Sequence, residues 1–260
     1  MRDKQQVARQ FSRAATSYDS AAGIQQRAVS HLLSGLDELQ GHWLDIGCGT
    51  GVALPHLRLK GANKVTGIDL AEGMLESAQA HQDDHTELLL ADADELPIAD
   101  ASADGLLSSL MLQWSEDPFA TLSEWHRVLK PGARLAIATL LPGTQREIQQ
   151  AWHAIDNRPH VNEFTDLDTL QQALNDSGFI NISSDTACLR EEYDSLTALL
   201  RGLKQIGATN VNPGRREGLG GRAALKALEA HYPTEIHEGQ TVFPLSYEVV
   251  WIFATAAAQK

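Results

Sequence analysis

The chain has 260 residues, 43% of them hydrophobic, and a net charge of −13 with histidine neutral. This is enough apolar material for one packed domain carrying an insertion. The acidic balance excludes a nucleic-acid binder and a protein held at an anionic membrane surface, both of which need a basic face. Cys48 and Cys188 offer no disulfide framework, and no run approaches the roughly 18 apolar residues of a membrane span. The opening residues lack the apolar run of a leader peptide, so the expected setting is cytoplasmic, in a reducing compartment. The ten histidines form no H-E-x-x-H or paired C-x-x-C pattern, and no metal is expected.

Residues 4–34 read as a helix pair. Phe11, Ala15 and Tyr18 share one face, Ile24, Ala28 and Leu32 continue it, and Asp19 and Gly23 mark the break. Such a pair (residues 1–35) can lie over a ligand mouth as a lid. Tyr18 is placed at that mouth, where its ring packs and its hydroxyl donates; the competing reading is a core tyrosine.

Leu44 to Ile46 end a buried strand, and Gly47, Gly49 and Gly51 strip the following turn of side chains. Without Cβ atoms the backbone can take φ > 0 and approach a ligand. A helix starting near Val52 aims its free N–H groups at the same turn. Val65 to Asp69 form a second strand. Its Asp69 falls about 20 positions after Gly47, where a carboxylate accepts from a ribose diol. The dinucleotide fingerprint G-x-G-x-x-G is not met, because Val52 stands where its third glycine belongs. Asp45 would repel a pyrophosphate but can hold an ammonium. The ligand is therefore a nucleoside bearing an amino acid, S-adenosylmethionine. The stretch Leu44-Asp45-Ile46-Gly47-Cys48-Gly49-Thr50-Gly51 resembles the first motif of class I methyltransferases.

The following elements keep the same rhythm. Ala71 to Ala78 is helical, and Met74 there either flanks adenine or fills core. Glu87 to Ala91 is a third strand. Asp92 after it can accept from the adenine amine, with the backbone of Ala93 at a ring nitrogen, whereas Asp94 and Glu95 read as solvated. Ala103 to Leu110 is a fourth strand with Gln113 and Trp114 at its carboxyl end. A helix from Pro118 stops at Lys130-Pro131-Gly132, and Arg134 to Thr139 is a fifth strand. Pro142 to Phe164 is a long connection, the kind that often serves as a functional lid. Helix 166–177, strand 180–188, a helix around Leu196 to Gly207, a glycine-rich turn at 208–221, a helix bearing Arg222 and Lys226, and a strand at 246–253 complete the chain. The expected fold is α/β: a Rossmann-like, doubly wound, seven-stranded, mostly parallel sheet with helices on both faces. Lid helices come from the N-terminus and the C-terminal half, and residues 142–164 and 194–240 form substrate-side insertions in one domain spanning 1–260. Arg201, Lys204, Arg215, Arg216, Arg222 and Lys226 stand against Glu217 alone, a local basic patch in an acidic chain.

Five further stretches narrow the resemblance. Phe11-Ser12-Arg13-Ala14-Ala15 with Tyr18, Leu112-Gln113-Trp114, Ala151 to His160, Leu203 to Thr209, and Pro244-Leu245-Ser246-Tyr247 resemble the malonyl-acyl-carrier-protein O-methyltransferases of the biotin pathway; residues 230–239 are largely unmatched. The resemblance implies methyl transfer from S-adenosylmethionine to the free carboxylate of a malonyl thioester on acyl carrier protein, masking it for elongation toward pimelate. It implies cofactor contacts from Asp45, Gly47, Gly49, Asp69 and Leu70, and from Met74, Asp92, Ala93 and Ser108. The ionised carboxylate is itself the nucleophile, so no general base is needed and catalysis is positioning in a dry site. Tyr18, Arg201 and Lys204 are expected to orient the carboxylate. Arg158 and Arg222 are expected to meet carrier protein or its phosphopantetheine, and Arg215 and Arg216 to dock the carrier. Competing readings are a methyltransferase for a small acid or carbon nucleophile, a cofactor sensor without catalysis, and a nicotinamide dehydrogenase.

Overall fold

A computed structural model describes residues 4–156, 158–207 and 221–258. Two helices, α1 (Lys4–Ala21) and α2 (Gly23–Ser34), precede the first strand. The alternating half follows: β1 (His42–Ile46), α3 (Ala53–Leu59), β2 (Lys64–Asp69), α4 (Glu72–Ala78), β3 (Thr86–Leu90), β4 (Ala103–Ser109), α5 (Pro118–Val128) and β5 (Leu129–Leu140). The second half holds α6 (Arg146–His153), α7 (Leu167–Asp176), β6 (Phe179–Tyr193), α8 (Leu196–Gln205), α9 (Gly221–His231), β7 (Glu235–His237) and β8 (Gln240–Ala256).

The sheet runs β3-β2-β1-β4-β5-β8-β6, with β7 paired to β8 off this path. The pairs among β1 to β5 are parallel, whereas β8 pairs antiparallel with both β5 and β6. From β1 the chain winds outward to β3, then crosses to β4 on the other side. The carboxyl ends of β1 and β4 therefore flank the switch point, where α/β sheets open a crevice. β1 and β4 are buried along most of their length because both faces are covered. One face packs Trp43, Leu54, Leu57 and Trp251 under α2, α3 and α8. The other packs Leu44, Ile46, Trp125 and Phe179 under α5 and α7. Among the described residues no helix is long and apolar enough to cross a membrane.

Several boundaries differ from the sequence reading. Lys130-Pro131-Gly132 does not separate helix from strand. It lies inside β5, where the register jumps from Ala103↔Leu129 to Gly105↔Arg134, and Gly132 takes φ 82°. The residues between form a bulge, a place where a strand tolerates proline. The connection 142–164 contains α6, whose sequence REIQQAWH buries Glu147, Ile148 and Ala151. One of those three is charged, which hides the helical stripe. β6 and β8 are longer than expected because they pair from Phe179↔Ala256 out to Tyr193↔Phe243. β7, an eighth strand, lies in the stretch that matched no motif.

Candidate active site

The glycine turn after β1 has the left-handed backbone its composition demands: φ is +71° at Gly47, +54° at Gly49 and +85° at Gly51. The Gly47 and Cys48 N–H groups both donate to the Ile68 carbonyl, at 2.8 and 3.0 Å, tying the turn to β2. A Cβ on Gly49 would meet nothing within 4 Å, so the backbone there faces open space. Asp69, at the end of β2, accepts from Gly49 N–H at 2.9 Å and Ala71 N–H at 2.8 Å. These bonds hold its carboxylate in place, although burial still raises its pKa. Asp45 is 2% exposed and its Oδ2 has no hydrogen-bond partner among the described residues. Burial, and then the neighbouring Asp69 charge, push its pKa up to about 7. A buried acid with an orphaned oxygen calls for a cation.

Above the turn lies a cleft of about 890 Å3. Gly47, Gly49, Asp69, Leu70, Met74, Asp92 and Ala93 line it, and α1 closes over it with Val7, Ala8, Phe11 and Tyr18. Met74 is both wall and core, packing with Ala15 and Ala71. Hydrogen bonds to several segments fasten α1. Thr50 Oγ1 donates to Asp19 Oδ1 at 2.6 Å. Lys4 Nζ donates to both oxygens of Asp92, at 2.9 and 2.7 Å, and to Asp94 Oδ2 at 2.6 Å. Asp94 is therefore not the solvated acid expected; it also accepts from Thr121 Oγ1 at 2.5 Å. Ser108 is displaced from its expected role as well. Its hydroxyl is fully buried and donates to the Ile46 carbonyl at 2.8 Å, while its neighbour Ser109 lines the cleft. Successive strand residues point to opposite faces, so the expectation missed by one residue.

These residues could hold S-adenosylmethionine: Asp45 could take an ammonium, Asp69 could accept from a ribose diol, and Met74, Leu70 and Ala93 line the cleft with Asp92. Burial, with the charges of Asp69 and Asp19, raises the Tyr18 pKa, which keeps the phenol a proton donor.

Beside the cleft lies a second, smaller chamber. The two share Phe11, Tyr18, Leu110 and Trp114, and the rings of Phe11 and Trp114 meet edge-on with centroids 5.3 Å apart. Gln145, Asn162, Phe164 and Tyr247 line this chamber, and sequence reasoning did not place them there. Tyr247 stood in a recognised stretch, whereas Gln145 carried no signal.

Arg201 and Lys204 are not brought to Tyr18. α8 buries Leu196, Leu199 and Leu203, which turns Arg201 and Lys204 outward into solvent, and neither lines the cleft or the chamber. Arg158 borders a separate open cleft of about 1570 Å3, which shares Asn162 and Phe164 with the chamber. Arg222 is exposed on α9. Arg215 and Arg216 lie outside the described residues.

Comparison with known proteins agrees with this geometry. Residues 44–137 match the model of a methyltransferase domain family. Among solved structures, the YcgJ protein of Bacillus subtilis superposes with a TM-score of 0.65 at 16% identity, covering 90% of this chain and 100% of that one. A Haemonchus contortus phosphoethanolamine N-methyltransferase in complex with S-adenosyl-L-methionine superposes with a TM-score of 0.58 at 17% identity, covering 94% of this chain and 57% of that one. At such identities the likeness is one of fold.

Sequence relatives are nearer. A bifunctional biotin-biosynthesis protein of Cellvibrio japonicus is 38% identical across 96% of this chain, which spans 50% of that protein's length. The malonyl-acyl-carrier-protein O-methyltransferase of Serratia marcescens is 40% identical, covering 96% of this chain and 94% of its own. Its Yersinia pestis counterpart is also 40% identical, at 96% and 90% coverage. With a glycine turn, an acid on each of the first two strands and a closing helix at the carboxyl end of the sheet, and likeness over nearly its whole length, this chain belongs to the malonyl-acyl-carrier-protein O-methyltransferase family.

Proposed function

We propose that the chain methylates the free carboxylate of a malonyl thioester carried by acyl carrier protein, yielding the methyl ester used in biotin synthesis. The observation that carries this reading is the joining of two cavities at Tyr18, Phe11, Leu110 and Trp114. One is bordered by the glycine turn and Asp69, suited to the cofactor, and the other is, in this reading, the place of the acyl group.

When bound, S-adenosylmethionine supplies an electrophilic methyl: a carboxylate lone pair forms the new C–O bond, the C–S electron pair returns to sulfur, and no proton moves. The residues of this chain act by position. Asp45 takes the ammonium and Asp69 the ribose hydroxyls. Phe11 and Trp114 keep water from the junction, where opposite charges are lost in the transition state and a dry setting helps. The carrier arm enters along the open cleft beside Arg158. The acidic carrier docks on the exposed cations of α8 and α9, where a local basic patch offsets the repulsion between two acidic partners. The cytosol is the setting in this reading.

The test is transfer of labelled methyl to malonyl-acyl-carrier protein beside acetyl-acyl-carrier protein, which lacks the carboxylate. Label on the malonyl form alone, released by mild alkali, is the expected result. Cofactor binding without label on either would turn the search toward small acids.

A further inference from the structure

The second chamber is polar but uncharged. Its polar lining is Tyr18, Gln25, Gln113, Gln145, Asn162 and Tyr247, and among the described residues no Lys, Arg, His, Asp or Glu lines it. A carboxylate entering such a space meets neutral donors. That arrangement suits the chemistry. A guanidinium clamp would bind the ionised ground state more tightly than the transition state, in which the charge is vanishing, and would slow transfer.

One pair in the chamber is built with particular care. Tyr247 is 3% exposed and lines the chamber together with Gln145. A phenol has one proton to give to a group in the chamber. Burial, with the charges of Glu191 and Tyr193, raises the Tyr247 pKa well above its ordinary value, so the proton stays on at neutral pH. Gln145 holds a left-handed backbone, φ 58°, a strained choice for a residue with a side chain. Three contacts fix it there: its N–H donates to the Ser246 carbonyl at 2.6 Å, and the Ser246 N–H and hydroxyl are held by Glu147 at 3.0 and 2.5 Å.

We infer that Tyr247, aligned by Gln145, is the residue that orients the substrate carboxylate by a neutral hydrogen bond, and that α8 cations take no part in this. The inference rests on the methyltransferase reading and deepens it.

The experiment compares wild type, Tyr247→Phe and Gln145→Asn, the latter keeping a residue that tolerates the left-handed backbone. Malonyl-pantetheine and acetyl-pantetheine are titrated by calorimetry into protein saturated with S-adenosylhomocysteine, and turnover is measured on malonyl-acyl-carrier protein. For Tyr247→Phe the expected result is about tenfold weaker binding of the malonyl compound and about tenfold lower kcat/KM, the size of a lost hydrogen bond to a charged group. Acetyl-pantetheine binding, cofactor affinity and melting temperature should stay unchanged, and Gln145→Asn should move in the same direction. An active wild type with Tyr247→Phe unaltered on both measures overturns the inference alone, as does equal weakening of malonyl and acetyl compounds. A wild type that binds cofactor but neither binds nor methylates the malonyl compound overturns the functional reading and the inference together.

Discussion

Lys4 Nζ lies 2.7 Å from Asp92 Oδ2, so the first turn of α1 is pinned to the chain just beyond β3. The contact crosses the mouth of the cofactor cleft, and Asp94 shares the same ammonium. Both partners are about a third exposed, and water discounts such a pair to about 0.2–1 kcal/mol. Lys4→Met should therefore speed cofactor release by about two- to fivefold, read by stopped-flow tryptophan fluorescence, and the difference should shrink at high salt. Release at the wild-type rate in low salt would show that Lys4 does not hold α1 closed.

Asp45 gives a pH dependence with a definite sign. Its folded pKa, about 7, stands above its ordinary value of 3.8. The folded state thus binds more protons than the unfolded chain between these values, and ligand-free stability should fall as pH rises from about 4 through about 7. Cofactor binding needs the ionised form, so affinity should rise about tenfold between pH 5.5 and 7 and level off where the ligand ammonium titrates near pH 8. Calorimetry in two buffers of different ionisation enthalpy should detect a released proton at pH 6. Asp45→Asn should flatten the rise in affinity toward pH 7 and remove the proton released at pH 6, leaving only the contribution of Asp69, whose pKa burial also raises. A flat affinity profile in the wild type would remove the ammonium from Asp45.

Glu147 is a buried acceptor with a structural task. It holds the Ser246 N–H and hydroxyl at 3.0 and 2.5 Å, joining α6 to β8 beside Tyr247. Glu147→Ala strands two buried donors and should cost about 2–3 kcal/mol, a fall in melting temperature of about 5 °C or more. Glu147→Gln keeps one acceptor and should lose less. Equal melting temperatures for wild type and Glu147→Ala would mean that water replaces the carboxylate at no cost.

The outward face of α8 separates docking from chemistry. Arg201→Glu with Lys204→Glu should raise KM for the carrier-bound substrate about tenfold, through the long-range charge that steers an acidic partner. Turnover of a small malonyl thioester should stay within about twofold, the range expected of exposed substitutions far from the reacting groups. A collapse of kcat on the small substrate would return these cations to the carboxylate and contradict their exposed placement.

Much of the fold was legible because its signals are local. Gly47, Gly49 and Gly51 announce a left-handed turn by composition, and short apolar runs such as Leu135 to Ala138 announce buried strands. The Asp69 spacing follows from one strand-helix-strand unit, so its distance along the chain is a distance in space. Boundaries failed where the local signal was mixed: Pro131 reads as a breaker but sits in a bulge, and the α6 stripe is hidden by a buried glutamate.

The sequence by itself determined the sheet, the ligand turn and the acid pair, since each depends on neighbours in the chain and on the periods of helix and strand. The tertiary structure alone decided what faces what. It chose Ser109 over Ser108 for the cleft, because one step along a strand reverses the side chain. It turned Arg201 and Lys204 to solvent, because the leucines of α8 claimed the core. It also brought Tyr18, Gln145 and Tyr247, from three distant segments, to one uncharged chamber, because a β strand returning antiparallel to β5 delivers its middle to the end of the parallel sheet.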